Sequence, residues 1–313
     1  MANMTDSMLS TEEQIASIWA LGGLSWKELG RRTWAGIDQN DLTNRAYELA
    51  YNFLLAVFPM LLFLVALFGV FAKEGSALQQ NLFMYAQQAL PPAAFALVSK
   101  TLEEVTKNTG GGKLTFGLVL ALYSASGGML QLMTNLNNAY AVREGRSWIK
   151  RHLIAIALTA GISVLVIAAL FLVLGGGQVA DWAGAKLGLG VIATVGWKVL
   201  EYVFALVFIV FSFAIIYYFA PDLKERHWYW ITPGSVIGVL LWIGITALFR
   251  VYLHFFNSYS KTYGSLGAVI ILLFWFYVTG LAFLVGGEIN ATIEHAAAEH
   301  GHPEAKPEGK KAA

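Results

Sequence analysis

The chain has 313 residues, of which 57% are hydrophobic and only 13% charged, against roughly a quarter charged in soluble domains. One soluble core cannot hide that much apolar surface, and a net charge of +1 offers no electrostatic case for nucleic acid as a partner. The absence of cysteine removes disulfides, thiolate catalysis, iron–sulfur clusters and Cys-based zinc sites together.

Residues 1–45 are polar and mixed in charge. No basic start leads into a short apolar run, so the first membrane helix is expected to serve as the targeting signal. Ser10 and Glu13 have capping-box spacing. Ile15, Ile18, Trp19, Trp26 and Trp34 alternate with charge. The pattern predicts one or two short helices on the cytoplasmic membrane surface, or else a cap folded under the bundle.

Six stretches then follow at about 46–72, 114–142, 153–180, 202–221, 228–249 and 262–287, nearly free of Asp, Glu, Lys and Arg. A bilayer core about 30 Å thick needs roughly 20 apolar helical residues, and lipid obliges each segment to satisfy its own backbone. The fold class is therefore all-α, a polytopic membrane protein whose six-helix domain spans residues 46–290. Between the first two spans, residues 73–113 are too long for a plain connector. Leu78, Leu82 and Tyr85 form one helical stripe and Phe95, Val98, Leu102 and Val105 a second, with Pro91-Pro92 between them. This predicts an extracytoplasmic helical hairpin. Residues 291–313 form a tail rich in Ala, Glu, Lys, His and Pro, expected to be partly disordered.

Cytoplasmic flanks collect Lys and Arg. Placing the N-terminus inside puts 13 Lys and Arg on inner segments and 8 on outer ones. The loop from Arg143 to Arg151 carries four basic residues against one acid, Glu144. Both termini are thus expected in the cytoplasm. Trp148, Trp182, Trp197, Trp228 and Trp230 fall at span ends, where amphipathic rings prefer to lie. Trp242 and Trp275 fall mid-span and are expected to pack between helices or to face lipid.

A charge at the bilayer centre costs about 2.5–3.5 kcal/mol on insertion scales, so the polar residues in these spans carry the functional reading. In the first span, Glu48 and Asn52 lie one turn apart and precede Pro59, which is expected to kink the helix. The equal alternative for Glu48 is an interfacial carboxylate paired with Arg45. In the second, Ser124, Gly128, Gln131, Asn135 and Asn138 fall on one helix face, with Asn137 beside them and Arg143 at the end. Interhelical hydrogen bonding alone accounts for such a stripe; a water-accessible cavity or pathway is the sharper reading. The sixth span ends in Gly286-Gly287-Glu288-Ile289-Asn290. Helix direction places Glu48, Gln131, Asn135, Asn138, Arg143 and Glu288 near the cytoplasmic side. One cluster is expected there, with Arg143 or Arg45 balancing Glu48 and Glu288.

The order of Arg45-Ala46-Tyr47-Glu48-Leu49-Ala50-Tyr51, Phe58-Pro59, Tyr123-Ser124-Ala125-Ser126, Asn135 to Tyr140, Tyr217 to Pro221, Thr232-Pro233-Gly234, Tyr259 to Gly267 and Gly287-Glu288-Ile289-Asn290 resembles the YihY/BrkB family of bacterial inner-membrane proteins, once misnamed ribonuclease BN. The match runs from about Trp26 to Glu294. Glu48 departs from the family pattern, which has a small residue there, so a role for it belongs to a subgroup. The resemblance implies six helices and an inner-membrane location. It names no agreed activity, and points to the movement of lipids or other solutes, or to envelope integrity and serum resistance.

Two functions compete on these residues. One is translocation of a lipid-like or small polar solute through a cavity lined by the stripe. The other is a scaffold or envelope-integrity role without translocation. Enzymatic activity, ribonuclease included, is not expected. His152, His227 and His254 are scattered, and no His-Glu-x-x-His or clustered carboxylate set occurs. No cofactor or metal is called for. Membrane lipids are the expected partners, and small residues in several spans permit a homo-oligomer.

Overall fold

A computed structural model describes residues 19–71, 80–81, 83–84, 87, 99–100, 111–187, 190–223, 231–255 and 265–300. Every described element is helical. After a 3-10 turn at Leu21–Gly23 come α1 (Trp26–Gln39), α2 (Leu42–Phe71), α3 (Gly111–Ala139), α4 (Trp148–Leu187), α5 (Gly190–Phe219), α6 (Pro233–Phe255) and α7 (Ser265–Glu299). Helices α2 to α7 are the six that are long and apolar enough to cross a membrane. Their outward faces carry large apolar side chains such as Val164, Val203, Leu206, Leu240 and Leu248, the surface that a hydrocarbon surround stabilises and water does not.

Local chemistry sets the helix ends. Ser25 caps α1, its hydroxyl accepting from the Glu28 N–H at 3.2 Å, one residue pattern of the kind expected at Ser10–Glu13, which lies outside the described residues. Asp41, at φ 52°, turns α1 into α2. The end of α3 is a Schellman closure. Val142 N–H donates to the Asn137 carbonyl (2.8 Å) and Ala141 N–H to that of Asn138 (3.0 Å), with Ala141 itself left-handed at φ 51°. Thr232 and Ser235 cap α6 reciprocally: each hydroxyl accepts from the other residue's backbone N–H, at 3.1 and 3.0 Å. Pro233 occupies the first helical position, where its missing N–H costs nothing. That cap starts α6 at residue 233, five residues after the stretch read from hydropathy. Pro59 lies inside α2, which runs on from Leu42 to Phe71.

The chain divides into two compact units. In the first (residues 1–51, 131–147 and 213–313), α7 is the central element. Leu21 and Leu29 pack on Ile289 and Ile293, so the N-terminal segment docks on the last helix. Arg32 adds an ion pair to Glu299 at 2.8 Å. Helix α7 has 35 residues, about 52 Å at a rise of 1.5 Å, and its last turns bury Ile293 and Ala296. The segment from 291 to 299 is therefore helix, and residues 301–313 lie outside the described part. Trp242 donates to the Thr279 hydroxyl at 3.3 Å and meets Trp275 edge-on at 6.5 Å, so this mid-span pair packs between helices.

The second unit comprises residues 52–130 and 148–212. Ala125, Ala155, Leu158 and Ile167 are buried there, and the Ser163 hydroxyl lies 3.7 Å from the Met60 sulfur. Trp148, at the start of α4, is exposed and meets the His152 ring at a tilt, centroids 4.0 Å apart. The expected hairpin in 73–113 lies mostly outside the described residues.

Candidate functional site: a hydrogen-bonded line between two carboxylates

Helix α2 enters the first unit with Ala46, Leu49 and Ala50 buried; Leu49 lies against Gly280 of α7. Period 3.6 then turns Tyr47, Glu48 and Tyr51 outward, and all three are exposed. Glu48 Oε2 accepts a hydrogen bond from Gln131 Nε2 at 2.9 Å. The same amide nitrogen lies 3.3 Å from Asn135 Oδ1, one turn further along α3. Asn135 is fully buried and donates through Nδ2 to the Arg45 carbonyl at 3.2 Å. Arg45 Nε donates to the Asn40 carbonyl at 2.7 Å, and Asn40 Nδ2 donates to Glu288 Oε2 at 3.0 Å.

An unbroken polar line thus joins the exposed carboxylate of Glu48 to the buried one of Glu288. Glu288 is 5% exposed and its carboxylate lies against Gly36 of α1, where a Cβ would overlap it. A glycine is needed here for close approach. The line uses α1, α2, α3 and α7. Amide side chains suit it because each both donates and accepts, so no member need be left unsatisfied in a low-dielectric surround.

The expected residues divide as follows. Glu48, Gln131, Asn135 and Glu288 stand in this one line. Asn138 is half-buried, and Arg143 is exposed beyond the end of α3. The Arg45 guanidinium, one of the two expected balancing charges, donates to the Asn40 backbone. Ser124, Gly128 and Asn52 belong to the second unit. Ser124 is exposed, its hydroxyl bonded to the Leu120 carbonyl at 2.8 Å. Gly128 is buried against Phe53 and Ala56.

A second polar cluster escaped the sequence reading. Arg146 grips Glu144 with two parallel bonds, Nε to Oε1 and Nη2 to Oε2, both 2.7 Å. The same guanidinium caps the end of α5 on the Ala220 carbonyl (2.9 Å), and its side chain is only 2% exposed. Asn137 Nδ2 donates to Glu144 (2.9 Å) and Asn137 Oδ1 accepts from the Asp222 N–H (2.7 Å). Burial pushes the Glu144 carboxyl up, but the bonds from Arg146 outweigh it and hold the group below the usual carboxylate range. This cluster is fully paired and joins the 140–147 loop to the 219–222 turn. In sequence Arg146 was visible only as one more positive charge in a loop, and Asn137 as an asparagine just off the stripe.

Close helix contacts hold both clusters. Tyr217 donates its hydroxyl to the Phe283 carbonyl at 2.8 Å, over Gly286, where a Cβ would overlap the phenol. Asn290 Oδ1 accepts from the Gly234 N–H at 3.0 Å. The Gly-Gly-Glu-Ile-Asn run therefore packs α7 against α5 and α6 and delivers Glu288 to α1. Among the described residues, no three His, Cys, Asp or Glu side chains are grouped to hold a metal.

A profile of the family described as Virulence factor BrkB matches residues 33–310. The ribonuclease-like protein YfkH of Bacillus subtilis is 36% identical over 255 residues, 80% of this chain and 89% of that protein. A UPF0761 membrane protein of Coxiella burnetii is 28% identical over 257 residues, covering 80% of this chain and 87% of its own length. Another, from Laribacter hongkongensis, is 25% identical over 271 residues; the match takes in 84% of this chain but 60% of that relative. No solved structure matches. The chain belongs to the BrkB family of membrane proteins.

Proposed function

We propose that this BrkB-family membrane protein sits in the bacterial inner membrane with both termini in the cytoplasm and moves a lipid-like or small polar solute along the Glu48–Glu288 line. The observation that carries this reading is the line itself. Polar side chains in a membrane layer cost free energy unless they are paired, and simple bundle cohesion needs only scattered interhelical bonds of about 0.6–2 kcal/mol. A run of five bonds that begins at an exposed carboxylate and ends at a buried one exceeds that need. Glu48 and Gln131 form the entrance, and the fully buried Asn135 closes the way from them toward Glu288. The basic loop around Arg143 supports the orientation.

Reconstitution into liposomes with lipid-scrambling and ion-flux assays tests the reading. Transport is expected, and Glu48→Gln together with Glu288→Gln is expected to slow it. Full flux in the double variant, or no flux of any kind in the wild type, overturns it. The absence of native cysteine makes single-Cys labelling a clean second test. A cysteine at position 48 should react with aqueous reagents at once, and one at position 135 only during turnover.

The second reading is a membrane scaffold that translocates nothing. The complete burial of Asn135, bonded through both ends of its amide, favours it. Protection of position 135 under all conditions would select it. The ribonuclease-like name belongs to the Bacillus subtilis relative, and among the described residues no group of His, Asp or Glu side chains that could hold a metal supports carrying it over.

A further inference from the structure

A groove of about 520 Å³ lies between α6 and α7 in the first unit. Its walls include Ile245, Leu248 and Phe249 from α6 and Ile270, Phe274 and Val278 from α7. Both helices are membrane-spanning by length and composition, so the groove opens onto hydrocarbon. Leu248 is 70% exposed and Phe274 48% exposed. Among the described lining residues, the one polar side-chain atom is the Tyr252 hydroxyl.

We propose that this groove is a binding site for an acyl chain of a membrane lipid. Two observations select that occupant. First, helices associate in lipid through small residues that let backbones approach and through polar bonds. Among the described residues that wall this groove there is no Gly, Ala, Ser or Thr; branched aliphatic and aromatic side chains wall it, and these suit a flexible chain better than a second helix. Second, the groove is continuous with a polar edge. Tyr252 stacks on Phe249 (6.4 Å), Phe249 meets Phe274 (5.7 Å), Phe274 meets Tyr277 (6.3 Å) and Tyr277 stacks on Tyr47 (4.3 Å). Tyr47 is exposed, and the next residue is Glu48, bonded to Gln131. From Ile270 to Tyr277 is about 10 Å along α7. An apolar trough that reaches a hydrogen-bonding edge over that distance fits an amphiphile with its tail in the trough. A void left beside these rings would forfeit their dispersion contacts, so filling it stabilises the pair of helices. The site stands whether or not the protein translocates anything.

The test uses the full chain in nanodiscs that contain a phosphatidylcholine with a photoactivatable group on one acyl chain, the sites of crosslinking being mapped by mass spectrometry. Labelling of Leu248, Ile270 and Phe274 is expected to exceed severalfold that of the exposed α5 residues Val203, Leu206 and Val207, and to saturate under competition by unlabelled lipid. Leu248→Trp with Ile270→Trp fills the groove and should remove the excess while labelling of α5 stays unchanged. Equal, unsaturable labelling of both faces means ordinary surrounding lipid and overturns the proposal, as does undiminished labelling in the filled variant. Should that variant fail to fold, the wild-type competition decides alone. Leu248→Cys tests for a second copy: crosslinking between Leu248→Cys chains at high yield overturns the lipid assignment.

Discussion

Asn40 and Glu288 are 248 residues apart in the chain, yet the Asn40 side-chain amide donates to the Glu288 carboxylate at 3.0 Å. That bond, with Gly36 beneath the carboxylate, joins α1 to the last membrane helix. It also ends the polar line that starts at Glu48. One contact therefore serves both attachment of α1 and placement of the candidate site.

Gly36→Val tests this contact directly. The new side chain must displace the Glu288 carboxylate, and overpacking of this kind typically costs about 1–3 kcal/mol. The thermal midpoint in detergent is expected to fall, and limited proteolysis between α1 and α2 to become faster. A variant with the wild-type midpoint and the wild-type cleavage rate would show that α1 does not rest on Glu288.

Arg146→Ala removes the buried partner of Glu144 and the cap on the α5 carbonyls. Breaking a fully buried pair from one side costs about 3–5 kcal/mol; Glu144 is partly exposed, so a loss below that range, a lowered thermal midpoint and reduced accumulation in the membrane are expected. Arg146→Lys keeps the charge but not the two-pronged grip, and its midpoint should fall between those of the wild type and the alanine variant. Identical melting of all three proteins would remove the structural role.

Asn135→Leu leaves the Arg45 carbonyl and the Gln131 amide with one partner fewer, inside the first unit. A single interhelical bond in a membrane protein is worth about 0.6–2 kcal/mol, so a modest fall in stability is expected. The flux assay separates the two readings of function: transport predicts a defect larger than the stability loss explains, and a scaffold predicts none.

Glu28 provides a pH signature for α1. Hydrogen bonds from Arg31 and then Arg32 lower its carboxyl to about 2. A depressed acid stabilises the folded form above its ordinary pKa of 4.5 and loses that contribution as pH falls toward about 2. The difference in thermal midpoint between wild type and Glu28→Gln should be small, present at neutral pH, and shrink across that window. A difference that stays constant down to about pH 2 would contradict the pairing.

Hydropathy and length alone announced six membrane helices, because every apolar stretch must bond its own backbone in lipid. The stripe Gln131–Asn135 and the carboxylates Glu48 and Glu288 were legible for the same reason: a polar group is conspicuous against an apolar run. Arg146 and Asn137 were not, since a charge in a loop carries no mark of burial. Nor did hydropathy locate the start of α6, which the Thr232–Ser235 cap decides, or the reach of α7 to Glu299.

Local composition therefore determined the solvent, the number of spans and which side chains are costly to bury. The tertiary structure decided which of those side chains meet. Gly36 admits the Glu288 carboxylate, Gly286 admits Tyr217, and successive ring contacts join Tyr47 to Tyr252. Such contacts depend on how helices far apart in sequence approach one another. Side-chain period along a single helix specifies a face, but the neighbour of that face is set by packing across the whole unit.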